Sequence, residues 1–384
     1  MLKPDVKPEK INFSSGPCAK RPGWKLDVLK KSLLGRSHRS KPSKEKLKQI
    51  IKTTKEILKV PKDYEVGIVP GSDTGAVEMS LWNVLGKRNV SVCVWDSFGQ
   101  DWLNDIKDQL KIKNLKIYNA KFGSLPNLKH INFDDDVVFN WNGTTSGVCL
   151  QDANWIAKKR DGLTICDATS AAFSIDLEWK KLDITTFSWQ KCLGGEAGHG
   201  MLILSPRAIK RINSYTPSWP IPKLFQLRKN DKLNMEIFKG STINTPSMLC
   251  VEDFLDALIW SQKIGGINEL IKRSKENLAI IKDWVQNSKW IKFLSEEDKF
   301  ISSTSICLKF VDENLQTSNL EYQKRLEDFI CNTLMQHQVA LDIGSYRSAP
   351  PGLRIWGGPT VNSSDIKKLL PWLDWSYREA KKYI

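Results

Sequence analysis

A chain of 384 residues has room for one large domain and a smaller one, each with a substantial core. Its 41% hydrophobic and 26% charged residues are an ordinary globular balance, and no apolar run approaches the ~20 residues that span a bilayer as a helix. The formal net charge of +15 raises the question of nucleic acid, but the lysines are spread along helical stretches such as Ser43–Lys59 and Leu270–Lys289 and are not gathered with aromatic platforms, so nucleic-acid binding is not expected.

The opening stretch Met1–Pro8 lacks the apolar core of a signal peptide, and a soluble, cytoplasmic protein without membrane partners is expected. After this extended start, Ser43–Val60 places Leu47, Ile50, Ile51, Ile57 and Leu58 near one helical face, and Pro61 stops it. Short apolar strands then alternate with helical patterns: Glu65–Val69, Val90–Trp95, Leu115–Tyr118, Val137–Asn140, Leu163–Cys166, Thr185–Ser188 and Met201–Leu204. That rhythm predicts an α/β fold with a mostly parallel sheet wrapped by helices. Ser214–Lys239, rich in proline, lysine and aromatics, reads as a loop excursion. From Ile267 the texture changes to a long helical stretch, a strand at Thr304–Phe310, a helix near Glu321–His337, strands around Val339–Leu341 and Leu353–Trp356, and a last helix from Ser364. The expected organisation is a large domain over 1–266 and a small α+β domain over 267–384.

Asp167, in Cys166-Asp167-Ala168-Thr169-Ser170, and Lys191, in Ser188-Trp189-Gln190-Lys191-Cys192, each follow an apolar run. Both should therefore emerge near the ends of adjacent buried strands, where open α/β sheets bind ligands. A lysine after a strand is ordinarily a solvated surface residue, and an aspartate there a turn or a helix N-cap. Lys191, however, is embedded among apolar and small residues, where an unpaired ammonium is costly to bury. The pair fits pyridoxal phosphate. A lysine amine holds its aldehyde as a Schiff base, and a carboxylate keeps the pyridine nitrogen protonated so that the ring absorbs electrons from a substrate carbanion.

The stretch Val69–Ala76 follows a strand and precedes the helical pattern Val77–Leu85, so Ser72, Asp73 and Thr74 can present amides and hydroxyls to a phosphate at a helix N-terminus. Asp73 is the discordant member, because a carboxylate repels phosphate unless it points away. Guanidinium groups suited to carboxylate or phosphate occur in Ser37-His38-Arg39-Ser40 and again over Tyr346–Trp356, which contains Arg347 and Arg354. Arg354 interrupts the apolar run Leu353–Trp356 and needs an anion to justify its place. The eight cysteines show neither a CxxC pair nor metal-ligand spacing, and the four histidines do not cluster with them, so buried thiols in a reducing compartment and no metal site are expected.

Through Asn12–Trp24, Gly35–Lys41, Trp141–Gly147, Ile165–Ser170, Trp189–Gly195, Ile243–Met248 and Pro350–Gly357, the chain resembles the phosphoserine aminotransferases, in their longer bacterial variety, within the class V branch of fold-type I pyridoxal-phosphate enzymes. The likeness covers nearly the whole chain. It implies that Lys191 carries the cofactor and Asp167 pairs with its ring nitrogen, that Gln190 and Thr144 bond around the ring oxygen and ring edge, and that Ser72 lies near the phosphate. Arg354 is implied for the substrate α-carboxylate, and His38, Arg39 and Arg347 for a distal phosphate or carboxylate. Asn244 and Thr245 are implied to reach the cofactor phosphate of the neighbouring subunit, which makes a homodimer with shared active sites. Many relatives place a tryptophan over the cofactor ring; here Trp95-Asp96-Ser97-Phe98-Gly99 offers Phe98.

The implied reaction is amino transfer between O-phospho-L-serine plus 2-oxoglutarate and 3-phosphooxypyruvate plus L-glutamate, serving L-serine synthesis. Formation of 4-phosphohydroxy-L-threonine for pyridoxine synthesis stays open beside it. The nearest rivals are a small-amino-acid transaminase and a cysteine desulfurase. A desulfurase needs a nucleophilic cysteine on a mobile loop, whereas Cys331 lies in the helical run Leu326–Met335 and Cys307 in an apolar strand.

Overall fold

The computed structural model describes residues 2–311, 320–346 and 348–383. Seven strands make the central sheet: β1 Glu65–Pro70, β2 Val90–Val94, β3 Leu115–Asn119, β4 Asp136–Asn140, β5 Thr164–Asp167, β6 Ile184–Ser188 and β7 His199–Leu204. They lie in the order β1-β7-β6-β5-β4-β2-β3. The run from β6 to β3 is parallel throughout, and β7 is antiparallel to both β6 and β1. Every residue of β2, β4, β5, β6 and β7 is buried. Strands covered on both faces carry apolar or small side chains at odd and even positions alike, so they do not show the polar alternation of a half-exposed strand. The edge strand β3 is mostly uncovered and carries Lys116, a charge that discourages a further strand from pairing there.

Five helices accompany this sheet: α1 Lys41–Ile57, α2 Ser72–Val84, α3 Ser97–Asn104, α4 Pro206–Ser214 and α5 Met248–Lys263. Pro42 sits in the first turn of α1, where its missing N–H costs nothing, and the Leu47, Ile50, Ile51 and Ile57 stripe is buried on the side facing α5. α2 lies against β6 and β7, and Ala76, Val77, Met79, Leu81 and Val84 are buried around nearly its whole circumference.

The second sheet is antiparallel, with β8 Ile291–Phe293, β9 Ser305–Phe310 and β10 Leu353–Trp356 in that order. It is joined by α6 Ile267–Gln286, α7 Leu320–Gln336 and α8 Ser363–Tyr383, with α8 packed on α6 and α7. One continuous core runs from Phe139 and Trp141 at the large sheet to Ile306, Leu353 and Trp356 at the small one. The segment before α1 threads between them: Ile11 accepts from Leu341 N, Phe13 from Trp356 N, and Cys18 N donates to Gln190, all at 2.9 Å.

Two local expectations change. Val339–Leu341 forms no strand, only a single bridge from Leu341 to Asn12, because the passing N-terminal segment offers one partner residue and then turns away. Ser214–Lys239 is largely irregular but includes a small hairpin pairing Arg228–Lys229 with Lys232–Leu233. Among the described residues, no helix is long and apolar enough to cross a membrane.

Candidate active site

Asp167 is the last residue of β5 and lies opposite Thr186 on the parallel strand β6. Lys191 leaves the sheet just beyond the end of β6, so the two side chains meet at the carboxyl edge. The loop carrying Lys191 is anchored by the preceding Trp189, fully buried between the rings of His199 at 4.5 Å and Phe254 at 4.7 Å. Burying a ring of this size contributes about 2–3 kcal/mol, which leaves the next residues little freedom. Burial drives His199 down to about 4, so its neutral ring can accept the Ser247 amide at 3.3 Å.

The Lys191 amine donates to the carbonyl oxygen of Ser15. Gly16, at φ +146°, is required here: a Cβ would stand 2.7 Å from Lys191 Nζ. Burial, reinforced by the Arg354 charge, lowers the Lys191 pKa below that of an ordinary lysine. The shift favours the neutral amine, the form that attacks a carbonyl.

Asp167 is held from two sides. Trp102 Nε1 donates to its Oδ2 at 3.1 Å and the Thr169 amide to its Oδ1 at 2.9 Å. Trp102 belongs to α3, whose N-terminus is capped by Asp96 accepting from Gly99 N at 2.9 Å. It lies four residues after Phe98 and so on the same helical face. That spacing is the signal in the sequence that could have found it.

Gly71, at φ +80°, turns the chain from β1 into α2 and sets Ser72 and Thr74 at the helix N-terminus, where backbone amides and the helix dipole favour an anion. Asp73, in the same turn, also lines the cavity. Its carboxyl is buried on the side of Asp167, Thr169 and Thr186. Burial, and then the Asp167 charge, raise its pKa well above the carboxylate range, which favours the neutral form.

From the small sheet, Arg354 on β10 extends under the Tyr346 ring, 5.5 Å from its centroid, and Tyr346 leans on Phe98 at 5.5 Å. Thr144, in the tight hairpin after β4, bonds Ser170 Oγ at 2.8 Å. One cavity of about 250 Å³ gathers these groups: Lys191 and Gln190, Asp167, the Ser72–Thr74 turn, Phe98, Thr144 and Arg354. Ser15, Trp102, Thr169, Ser188 and Tyr346 also line it, and none of them was singled out from the sequence. His38 and Arg39, in the turn before α1, and the exposed Asn244 and Thr245, ahead of α5, do not line it. Arg347 lies outside the described residues.

Among the described residues, several buried atoms around the cavity have no hydrogen-bond partner: Gln190 Oε1, Thr169 Oγ1, Ser188 Oγ and Arg354 Nε. Leaving such a group unmet costs about 1–3 kcal/mol, so this is a surface shaped for a polar ligand. The α2 terminus calls for an anion, Phe98 offers a flat apolar face, Lys191 an amine and Asp167 a carboxylate. Pyridoxal phosphate, with its phosphate, ring, aldehyde and basic nitrogen, fits that set.

The sequence profile of one family, Aminotransferase class-V, matches residues 35–324, so the chain is a class-V aminotransferase. A phosphoserine aminotransferase of Methanosarcina mazei is 53% identical over 380 residues, covering 99% of this chain and 100% of that protein, and one from Methanosarcina barkeri is equally similar over the same span. The chain belongs to the phosphoserine aminotransferase family. In fold it is similar to the solved phosphoserine aminotransferase of Cytophaga hutchinsonii, with TM-score 0.82 at 24% identity over 95% of this chain and 98% of that one.

Proposed function

We propose that this chain catalyses the reversible amino transfer between O-phospho-L-serine plus 2-oxoglutarate and 3-phosphooxypyruvate plus L-glutamate, the transamination of L-serine biosynthesis, with pyridoxal phosphate as cofactor. The observation that carries the reading is the convergence of Lys191, Asp167, the α2 terminus and Arg354 on one cavity, in a member of this family. When bound, the cofactor supplies an electron sink for the pair left behind as the substrate Cα–H bond breaks.

Lys191 holds the cofactor through its amine. With the cofactor bound, the Lys191 amine would be the base that takes the proton from the substrate Cα, a task that its lowered pKa favours. Asp167, fixed by Trp102 and Thr169, would hold the ring nitrogen of the bound cofactor and keep it protonated. Ser72 and Thr74 take the phosphate, Gln190 and Thr144 the polar edge of the ring, and Phe98 its face. Arg354 binds the substrate α-carboxylate, while His38, Arg39 and Arg347 receive the distal phosphate or carboxylate. Phosphoserine and glutamate both carry an α-carboxylate and a distal anion, so one set of cations serves both half-reactions.

Asn244, Thr245 and the turn containing His38 and Arg39 stand outside the cavity of their own protomer, which supports a homodimer in which they complete the partner's site. The eight free thiols suit the cytoplasm. Burial pushes the Cys307 and Cys331 thiols up to about 12, so neither offers the thiolate of a desulfurase. A one-carbon-longer phosphorylated substrate, as in pyridoxine synthesis, presents the same two anions and extends the same assay. Purified protein given phosphoserine and 2-oxoglutarate should form glutamate. Glutamate formed from alanine but not from phosphoserine would point to the small-amino-acid transaminase instead.

A further inference from the structure

Glu327 lies on α7, away from the cavity, and is only 2% exposed. A carboxylate in such a place is costly unless its lone pairs are filled, and an apolar residue would pack the helix more cheaply. Its oxygens are filled from both ends of one turn: Oε1 accepts from Ser345 N at 3.1 Å, and Oε2 from Ser345 Oγ at 2.8 Å and from Gly352 N at 2.8 Å. Lys324 supplies a fourth donor to Oε1 at 2.7 Å. The neck of the turn is closed by a bridge between Gly344 and Leu353. Gly344 also makes room for the carboxylate, since a Cβ there would stand 2.9 Å from Glu327 Oε1.

What this neck presents is the substrate side of the cavity. Directly after Ser345 comes Tyr346, which spans Phe98 and Arg354. Ser348 Oγ meets Ser97 Oγ at the start of α3 at 2.5 Å. Shortly after Gly352 comes Arg354, whose amide is fixed to Ile343 O at 2.7 Å. We propose that Glu327 is the positioning residue of the substrate-carboxylate subsite: by clamping Ser345 and Gly352 it sets Tyr346 and Arg354 against Phe98 without touching substrate. The inference rests on the carboxylate-binding role given to Arg354 above.

The test uses the holoenzyme, with glutarate, a dicarboxylate that cannot react, as the probe. Glu327→Gln keeps the shape but turns one acceptor into a donor facing donors; Ser345→Ala removes a single half-buried hydroxyl. Calorimetry should show glutarate binding weakened about tenfold in Glu327→Gln and a few-fold in Ser345→Ala, the scale of one lost charge-assisted contact. Phosphoserine KM should rise in parallel, with kcat and the visible absorbance of the bound cofactor little changed. Parental glutarate affinity in both variants, whatever their thermal stability, would overturn the proposal, and Ser345→Ala decides alone if Glu327→Gln does not fold. Arg354→Ala, run alongside, separates the two layers: if it still binds glutarate as the parent does, the Arg354 reading itself fails.

Discussion

Asp167 meets two donors of its own chain, the Trp102 indole and the Thr169 amide, before any ligand arrives. They fix its carboxylate in direction, and in the proposed mechanism its charge serves the ring nitrogen of the cofactor. Asp167→Asn preserves the shape and removes the charge. The rate with phosphoserine should fall by orders of magnitude, a loss of several kcal/mol at about 1.4 kcal/mol per tenfold, while the melting temperature stays close to the parent's. A near-normal rate would remove the role given to Asp167. The Asp167–Lys191 pair was legible because an amine and a carboxylate after neighbouring apolar runs match one cofactor's chemistry. Trp102 left only its four-residue spacing from Phe98 as a signal, and a tryptophan in a short helix otherwise reads as core. The surroundings of Asp73 were also hidden: the sequence places it in the turn, but its neighbours Asp167, Thr169 and Thr186 come from β5, β6 and the loop after β5.

Each of the seven central strands overlaps a run marked from sequence; burial on both faces keeps the inner strands predominantly apolar, while the mostly uncovered edge strand β3 left only the alternating signal of Leu115 and Ile117. α3 gave no comparable pattern. Its eight residues include Gly99 and four polar side chains, and it is held by the Asp96 cap and by burial of Trp102 and Leu103. Those are tertiary causes, invisible to periodicity. The Val339–Leu341 stretch shows the converse, for β-branched and apolar residues make a strand only where a partner runs alongside.

Over the whole molecule, the cavity lies where the large sheet, the small sheet and the N-terminal segment meet, with Lys191 from the first, Arg354 from the second and Ser15 from the third. No one of these makes the site alone. If Asn244 and Thr245 complete a partner's site, then co-expressed Lys191→Ala and Asn244→Ala chains should form hybrids holding one intact site, and activity should exceed that of either variant by itself. Absence of any such recovery in isolated hybrids would contradict the shared site.

Where the cofactor attaches is the most direct question of all. Borohydride reduction of the holoenzyme fixes pyridoxal phosphate on the lysine that holds its aldehyde, and peptide mapping identifies that residue. The adduct is expected on Lys191 and on no other lysine, and the Lys191→Ala protein should carry none. An adduct on a different lysine, or one that survives Lys191→Ala, would contradict the site.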